Sequence, residues 1–310
     1  MTPTAVIGGG EFASALAALA AANGPVLRRT SPPGAAPAAG EPELAELARA
    51  RLVLFVLPSS QVRRAAQVLG DYLDGARLLV HATRGLEPET FRRFSEVLRE
   101  ETPCLRVGAL AGPTLATEVA RGQPTAAVVG SRYPEVIDAV RAALGGPTFR
   151  VYGSDDLAGV ELAAALSSVV ALAAGLAAGL GLEYNTRAAV VVRGFAEMAR
   201  LGVTLGADAA TFTGLAGLGD LLASAQSDAS ADFRLGRAIG AGTPASEALA
   251  AMEASGAHAE GIRTVEAVQR MARGRTRVSL TDAIAAVLAG GEARAVVRGL
   301  MTLAPMSEGE

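Results

Sequence analysis

The 310-residue chain contains no lysine; its Lys+Arg total of 28 is all arginine. No lysine side chain can therefore serve as proton donor, base or phosphate anchor, and arginine does not deprotonate in proteins. Tryptophan is absent and aromatic residues make up only 4% of the chain, which argues against stacking platforms for single-stranded nucleic acid. The formal charge is −3 and no long run of one sign occurs, so the basic footprint of a nucleic-acid binder is missing as well. Cys104 is the single cysteine, which excludes an intramolecular disulfide and a CxxC metal site. No metal is expected. No charged and apolar leader precedes the first strand-like stretch, TAVIGGG; a cytoplasmic location is the default expectation.

Half of the residues are hydrophobic, enough for a sizeable core, and the length suggests about two domains. One uncharged stretch, Leu162–Leu182, is long enough to cross a bilayer. It is rich in Ala and Gly and lacks an aromatic belt. A buried central helix is the expectation, and no membrane span.

The first half alternates strand-like and helix-like patterns. Strands are expected at Thr4–Gly8, Pro25–Leu27, Leu52–Leu57, Arg77–His81, Leu105–Leu110, Thr125–Val129 and Phe149–Tyr152. Helices are expected at Phe12–Ala22, Glu41–Ala50, Ser60–Leu69, Pro88–Glu101, Thr114–Arg121 and Glu135–Leu144. The run LVLFVL is apolar throughout, as befits a strand covered on both faces. This alternation predicts an α/β doubly wound, mainly parallel sheet over residues 1–155. From 156 to 310 the period is helical, with Gly-rich breaks at Gly214–Gly219 and Gly240–Gly242. An all-helical second domain is expected there, for substrate binding and dimerisation; its Ala-rich helices offer a surface for a homodimer.

The sequence AVIGGGEFASALA sets Gly8, Gly10 and Ala13 in a G-x-G-x-x-A pattern between a strand and a helix. This is the fingerprint of a dinucleotide-binding (Rossmann) turn. Gly8 permits the tight turn, Gly10 lets backbone N–H groups approach a pyrophosphate, and Ala13 allows close helix–strand packing. The N-terminus of the following helix, at Glu11 and Phe12, adds positive partial charge. Glu11 either repels the pyrophosphate or points to solvent and favours the helix N-terminus. After the second strand the chain reads VLRRTS. Arg28, Arg29 and Thr30 would suit a 2′-phosphate, which leans toward NADP(H); a solvated basic loop is the other reading. Two histidines, His81 and His258, are the only side chains with an ordinary pKa near neutrality. His81, at a strand end, is either a candidate acid or a packed core residue.

Taken together, VIGGGEFASALA, VLPSSQV, ATRGLE, AGPTLATEVARGQPTA, FRVYGSDDLAGVEL, NTRAAVVVRGFAEMARLG, GLAGLGDLLAS, RLGRAIGAG and AEGIRTVEAV resemble bacterial NAD(P)-dependent glycerol-3-phosphate dehydrogenase in order and spacing. The resemblance covers most of the chain. It implies reversible hydride transfer between NAD(P)H and dihydroxyacetone phosphate, giving sn-glycerol 3-phosphate for glycerophospholipid synthesis. It also implies roles for single residues. Arg84 stands where the family has a lysine touching substrate and cofactor. Gly112 and Thr114 contact substrate, Ala116 lies beside the cofactor, Asp220 is the catalytic-site aspartate, and Glu260 touches the cofactor. The family's proton-exchanging lysine falls at Ser167, with Ser168 for the neighbouring asparagine. Ser230 is retained, but the phosphate-gripping Arg-Asn pair becomes Ala231 and Asp232, and an Asp beside a substrate phosphate is electrostatically unfavourable. The loop after the second strand is shorter than the family's. Three readings follow from these departures. They are an active dehydrogenase with a rearranged site, an oxidoreductase on another hydroxy or keto substrate, and a catalytically impaired nucleotide-binding protein.

Overall fold

The computed structural model describes residues 2–31 and 34–295. It divides into two units, Met1–Ala164 with Ala210–Asp220, and Ala165–Ala209 with Leu221–Glu310.

The first unit is built on a seven-stranded sheet. Its strands are β1 (Thr4–Ile7), β2 (Val26–Arg29), β3 (Leu52–Phe55), β4 (Leu78–His81), β5 (Val107–Ala111), β6 (Thr125–Gly130) and β7 (Phe149–Ser154). They lie in the order β2-β1-β3-β4-β5-β6-β7. All neighbours are parallel except β5 and β6, which are antiparallel. The expectation of a mainly parallel, doubly wound sheet holds. β3, β4 and β5 are buried along their whole length, which explains why they are apolar apart from His81 at the end of β4. The chain reverses direction across the sheet at β1, whose neighbours are β2 and β3. In such sheets the crevice beyond the strands' carboxyl ends, at this switch point, is where ligands bind.

The helices of this unit are α1 (Glu11–Asn23), α2 (Leu44–Leu47), α3 (Ser59–Gly70), α4 (Phe94–Glu101), α5 (Ala116–Ala120) and α6 (Pro134–Leu144). Several are shorter than the periodicity suggests. Pro42 and the Glu43 cap delay α2 to Leu44. Ahead of α4, the Glu87 carboxylate accepts the Thr90 N–H at 2.9 Å and Phe91 adopts a positive φ of 59°, so a turn replaces the first part of the expected helix.

Helix α7 (Leu157–Gly179) runs from the first unit into the second. It contains the bilayer-length apolar stretch as far as Gly179, and 89% of its most apolar window is buried inside the protein. The second unit continues with α8 (Tyr184–Thr204), and the chain returns to the first unit for α9 (Ala209–Thr213) and a π-helical turn at Leu215–Gly219. It then forms α10 (Asp220–Ser224), α11 (Ala231–Gly240), α12 (Ala245–Ala254), α13 (Gly261–Ala272) and α14 (Ser279–Leu288).

Glycines four apart on two helices set the packing of the second unit. A Cβ on Gly175 or Gly179 of α7 would lie 2.1 Å from Phe233 O or 2.2 Å from Arg237 O. Conversely, a Cβ on Gly236 or Gly240 of α11 would lie 2.1 Å from Leu172 O or 2.3 Å from Leu176 O. The two helices therefore meet backbone to backbone, which only residues without a side chain permit. This seam fixes the start of α11 against α7.

Candidate active site

Three turns at the carboxyl ends of strands, and one buried aspartate, form the candidate site of the first unit. The turn after β1 is the glycine loop. Gly8 donates its N–H to Arg29 O at 2.9 Å. A Cβ there would lie 2.1 Å from Val56 O and 2.9 Å from the Ala13 methyl. Ala13 is fully buried, so the third position of the fingerprint is held small by packing. At Gly10, by contrast, a Cβ would meet nothing within 4 Å. The open side of the turn is the side from which a ligand approaches. Gly10 is also the N-cap of α1 and supplies no side chain to cap it, which leaves first-turn N–H groups facing outward for an anion. Glu11 is exposed. The residues present therefore fit a dinucleotide pyrophosphate.

The two arginines that end β2 have different fates. Strand residues alternate between faces, and Arg29 takes the inner one. It is 1% exposed, and its guanidinium donates to Ala35 O (2.6 Å), Pro42 O (3.2 Å) and Ser31 O (3.3 Å). Its part is to tie down the loop after β2, and it does not present charge to a phosphate. Arg28 is half-buried and donates to Ser14 Oγ of α1 at 2.6 Å.

The turn after β4 carries Arg84. Thr83 Oγ1 donates to Leu57 O at 2.8 Å and anchors this turn. Arg84 Nη2 lies 2.5 Å from Asp220 Oδ1. Asp220 is fully buried at the start of α10, while a quarter of the Arg84 side chain (26%) reaches solvent. The GLAGLGD stretch, expected as a Gly-rich break, instead winds into the π turn that ends on Asp220. Such turns recur at functional sites.

The turn after β5 is Gly112-Pro113-Thr114. Gly112 has φ 127° and a Cβ on it would lie 3.2 Å from Ala126 O. Thr114 is buried, its N–H donating to Gly112 O at 2.7 Å. Ala116 opens α5. A Cβ on Gly219 would lie 3.6 Å from Pro113 Cδ, so this turn and the π turn are neighbours.

His81 is not presented to any of these turns. It is 3% exposed, its Nε2 lies 3.0 Å from Glu161 Oε1, and its ring meets Phe94 edge-on at 5.6 Å. Glu161 also accepts from Ser95 N (2.8 Å) and Ser95 Oγ (2.6 Å). Burial alone would raise the Glu161 carboxyl; His81 and Ser95 outweigh it and hold it below the ordinary range. His81 is thus the packed residue of the two readings, and His258 is exposed.

The second unit gathers another set of expected residues. Ser167 and Ser168 of α7 are fully buried, and Ser168 Oγ donates to Ala165 O at 2.9 Å. Ser230 caps α11, accepting the Phe233 N–H at 3.4 Å. Asp232, in the first turn of α11, is 4% exposed and accepts the Gly261 N–H at 2.6 Å. A Cβ on Gly261 would lie 2.4 Å from Ser168 O. Glu260, also buried, occupies the N-cap position of α13 without a capping hydrogen bond from its side chain. The Asp232 carboxylate therefore sits at the N-termini of both α11 and α13, where helix dipoles favour negative charge.

One residue that the sequence did not point to is Glu41. It accepts from Thr30 N (2.8 Å), Ala38 N (3.1 Å), Ser31 N (3.3 Å) and, at closer range, Thr30 Oγ1. The Thr30 hydroxyl above all holds the Glu41 carboxyl down at about 2.

Known proteins of this architecture share the sequence as well. The family model described as NAD-dependent glycerol-3-phosphate dehydrogenase N-terminus matches residues 39–137, and the C-terminal model of the same family matches residues 156–297. Glycerol-3-phosphate dehydrogenase [NAD(P)+] of Azotobacter vinelandii is 38% identical over 332 aligned residues, covering 99% of this chain and 96% of that one. The protein of the same name from Pseudomonas aeruginosa strain LESB58 is 40% identical over 291 residues, 86% of this chain and 84% of its own. Among solved structures, glycerol-3-phosphate dehydrogenase from Coxiella burnetii superposes with a TM-score of 0.87 at 30% identity, over 97% of this chain and 99% of that one. The yeast glycerol-3-phosphate dehydrogenase of Saccharomyces cerevisiae shares the fold, with a TM-score of 0.80 at 22% identity over 97% of this chain and 99% of that one. The chain belongs to the NAD-dependent glycerol-3-phosphate dehydrogenase family.

Proposed function

We propose that this protein is an NAD(P)-dependent glycerol-3-phosphate dehydrogenase, interconverting dihydroxyacetone phosphate and sn-glycerol 3-phosphate in the cytoplasm. The Arg84–Asp220 pair carries the reading: a guanidinium fixed by a fully buried carboxylate and still partly open to solvent, at the carboxyl end of β4. The bound nicotinamide supplies or takes the hydride. The chain supplies the rest. Gly8, Gly10, Phe12 and Ala13 shape the cradle for the pyrophosphate. Arg84 gives fixed positive charge for the oxygen that becomes an alkoxide, a contribution of about 100- to 1,000-fold in comparable sites. Asp220 holds that guanidinium in one orientation. Gly112 and Thr114 bind substrate, and Ala116 and Glu260 contact the cofactor, by correspondence with the family.

Proton delivery differs from the family's. With no lysine in the chain, the proton comes from a different group, and Ser167, which stands in the family lysine's place, offers only a hydroxyl. By correspondence with the family, Ser230 is the retained member of the phosphate-contacting triplet. The absence of an arginine at Ala231 favours a second reading, in which the substrate is an unphosphorylated hydroxy or keto compound. A homodimer formed through the helical unit completes the proposal; Tyr184, Val192 and Val203 of α8 are exposed.

The test is product formation. With dihydroxyacetone phosphate and NADH in excess, phosphorus NMR should show sn-glycerol 3-phosphate accumulating in proportion to protein, and much more slowly with Arg84→Met. Turnover of unphosphorylated dihydroxyacetone at an equal rate would favour the second reading. Nucleotide binding with no product from either substrate would leave a pseudoenzyme.

A further inference from the structure

The end of β2 is where a Rossmann sheet reads the adenosine ribose. In this chain that position is already occupied by an internal anion. The Glu41 carboxylate takes the N–H groups of Thr30, Ser31 and Ala38 and the hydroxyl of Thr30. Converging backbone N–H groups of this kind are what a phosphate would otherwise use. The site touches the cofactor cradle directly: a Cβ on Gly9 of the glycine turn would lie 3.0 Å from Thr30 O.

Of the two basic residues that could counter this charge, one is withdrawn and the other points to α1. Arg29 is buried and bonded to three loop carbonyls. Arg28 donates to Ser14 Oγ. Arg29 and Glu41 act together: the cation gathers the loop's carbonyls while the anion gathers its N–H groups, and the loop is locked with Glu41 beside the end of β2.

We infer that Glu41 is the cofactor-specificity residue, admitting the ribose diol of NAD(H) and rejecting the 2′-phosphate of NADP(H). A 2′-phosphate would have to displace the carboxylate from its donors or lie against a like charge, which costs binding energy. A ribose hydroxyl needs only an acceptor. An ionised carboxylate offers about four lone-pair directions, and the four donors on Glu41 use them; the contact from Ser31 N, shared between both oxygens at 3.3 Å, is the longest of them and the one a ribose hydroxyl would replace. Glu41 is held at about 2, so it is ionised at any pH at which the protein would be assayed. This reverses the lean toward NADP(H) that Arg28, Arg29 and Thr30 suggest in sequence.

The inference rests on the dinucleotide-binding reading and is tested by affinity, without turnover. NADH and NADPH are titrated into the full-length protein and into Glu41→Gln and Glu41→Ala, with nicotinamide fluorescence as readout. 5′-AMP and adenosine 2′,5′-bisphosphate serve as competitors that isolate the adenosine end. The wild type should favour NADH by about tenfold or more, and both variants should lose most of that ratio through tighter NADPH binding. The bisphosphate should gain against 5′-AMP in the same way. A wild-type preference for NADPH, or a ratio unchanged in both variants, would overturn the assignment of Glu41 while leaving the dehydrogenase reading intact. Binding of neither nucleotide would overturn both.

Discussion

Replacing His81 by Leu should destabilise the sheet unit far more than a single hydrogen bond would suggest. The substitution leaves the Glu161 carboxylate, 5% exposed, without its contact to His81. Removing one member of a buried pair costs about 3–5 kcal/mol, because the other charge stays buried. Glu161 keeps Ser95 N at 2.8 Å and Ser95 Oγ at 2.6 Å, which places the expected loss near the low end, about 3 kcal/mol. For a unit of this size that corresponds to roughly 6–12 °C in melting temperature. Replacing both residues, His81→Leu with Glu161→Leu, removes the stranded charge and should recover most of the loss. The sign with pH follows from Glu161. Its folded-state pKa lies below its unfolded value, so its stabilisation is fully present above the unfolded value and disappears as pH falls through the folded one. The gap between wild type and His81→Leu should therefore close in acid. Thermal and urea denaturation near pH 7, followed by circular dichroism, measure all three proteins. A single variant within about 1 kcal/mol of wild type, or a double variant less stable than the single, would refute the reasoning.

Other perturbations reach the helical unit and the chemistry. Gly175→Val drives a side chain into Phe233 O across the α7–α11 seam; overpacking costs about 1–3 kcal/mol where neighbours can shift, and backbone cannot, so a loss above about 3 kcal/mol is expected in the same denaturation experiment. Glu197 of α8 is buried, which raises its carboxyl despite the donors Leu280 N (2.9 Å), Thr281 N (3.1 Å) and Thr281 Oγ1 (2.6 Å). Its folded-state pKa is above the unfolded one, so stability should fall as pH rises from the ordinary carboxylate range through the raised value, and Glu197→Gln should flatten that slope in melting curves. Ser167→Lys restores a proton-exchanging group where the family has one. If the buried position accepts it, kcat should rise on the order of 100-fold or more, with a new ionisation in the pH profile; a folded variant with unchanged kcat would show that proton delivery is not what limits the chain.

The sheet and the glycine turn are legible because their signals are local. Gly8, Gly10 and Ala13 stand together in sequence, and β3 is recognisable from its own four apolar residues. What the sequence hides are choices made between distant residues. Arg28 and Arg29 look alike in a string, yet alternation along β2 sends one of them inward, and the carbonyls it meets come from the loop two to thirteen positions on. Glu41 reads as the start of a helix because its partners, Thr30 and Ser31, lie eleven and ten residues back. Asp232 looks like a misplaced charge until Gly261, 29 positions away, brings a helix N-terminus to it. His81 could be a catalytic acid or packing by sequence, and only Glu161, 80 positions away, decides it.

The measurement that bears most directly on the central claim is NADH oxidation driven by dihydroxyacetone phosphate at high protein concentration, with Asp220→Asn as the control. The account predicts a rate that saturates with substrate, exceeds the background without protein, and falls sharply when the Arg84–Asp220 pair is broken. NADH bound, as seen by its fluorescence in the same cuvette, with no substrate-dependent oxidation, would contradict it.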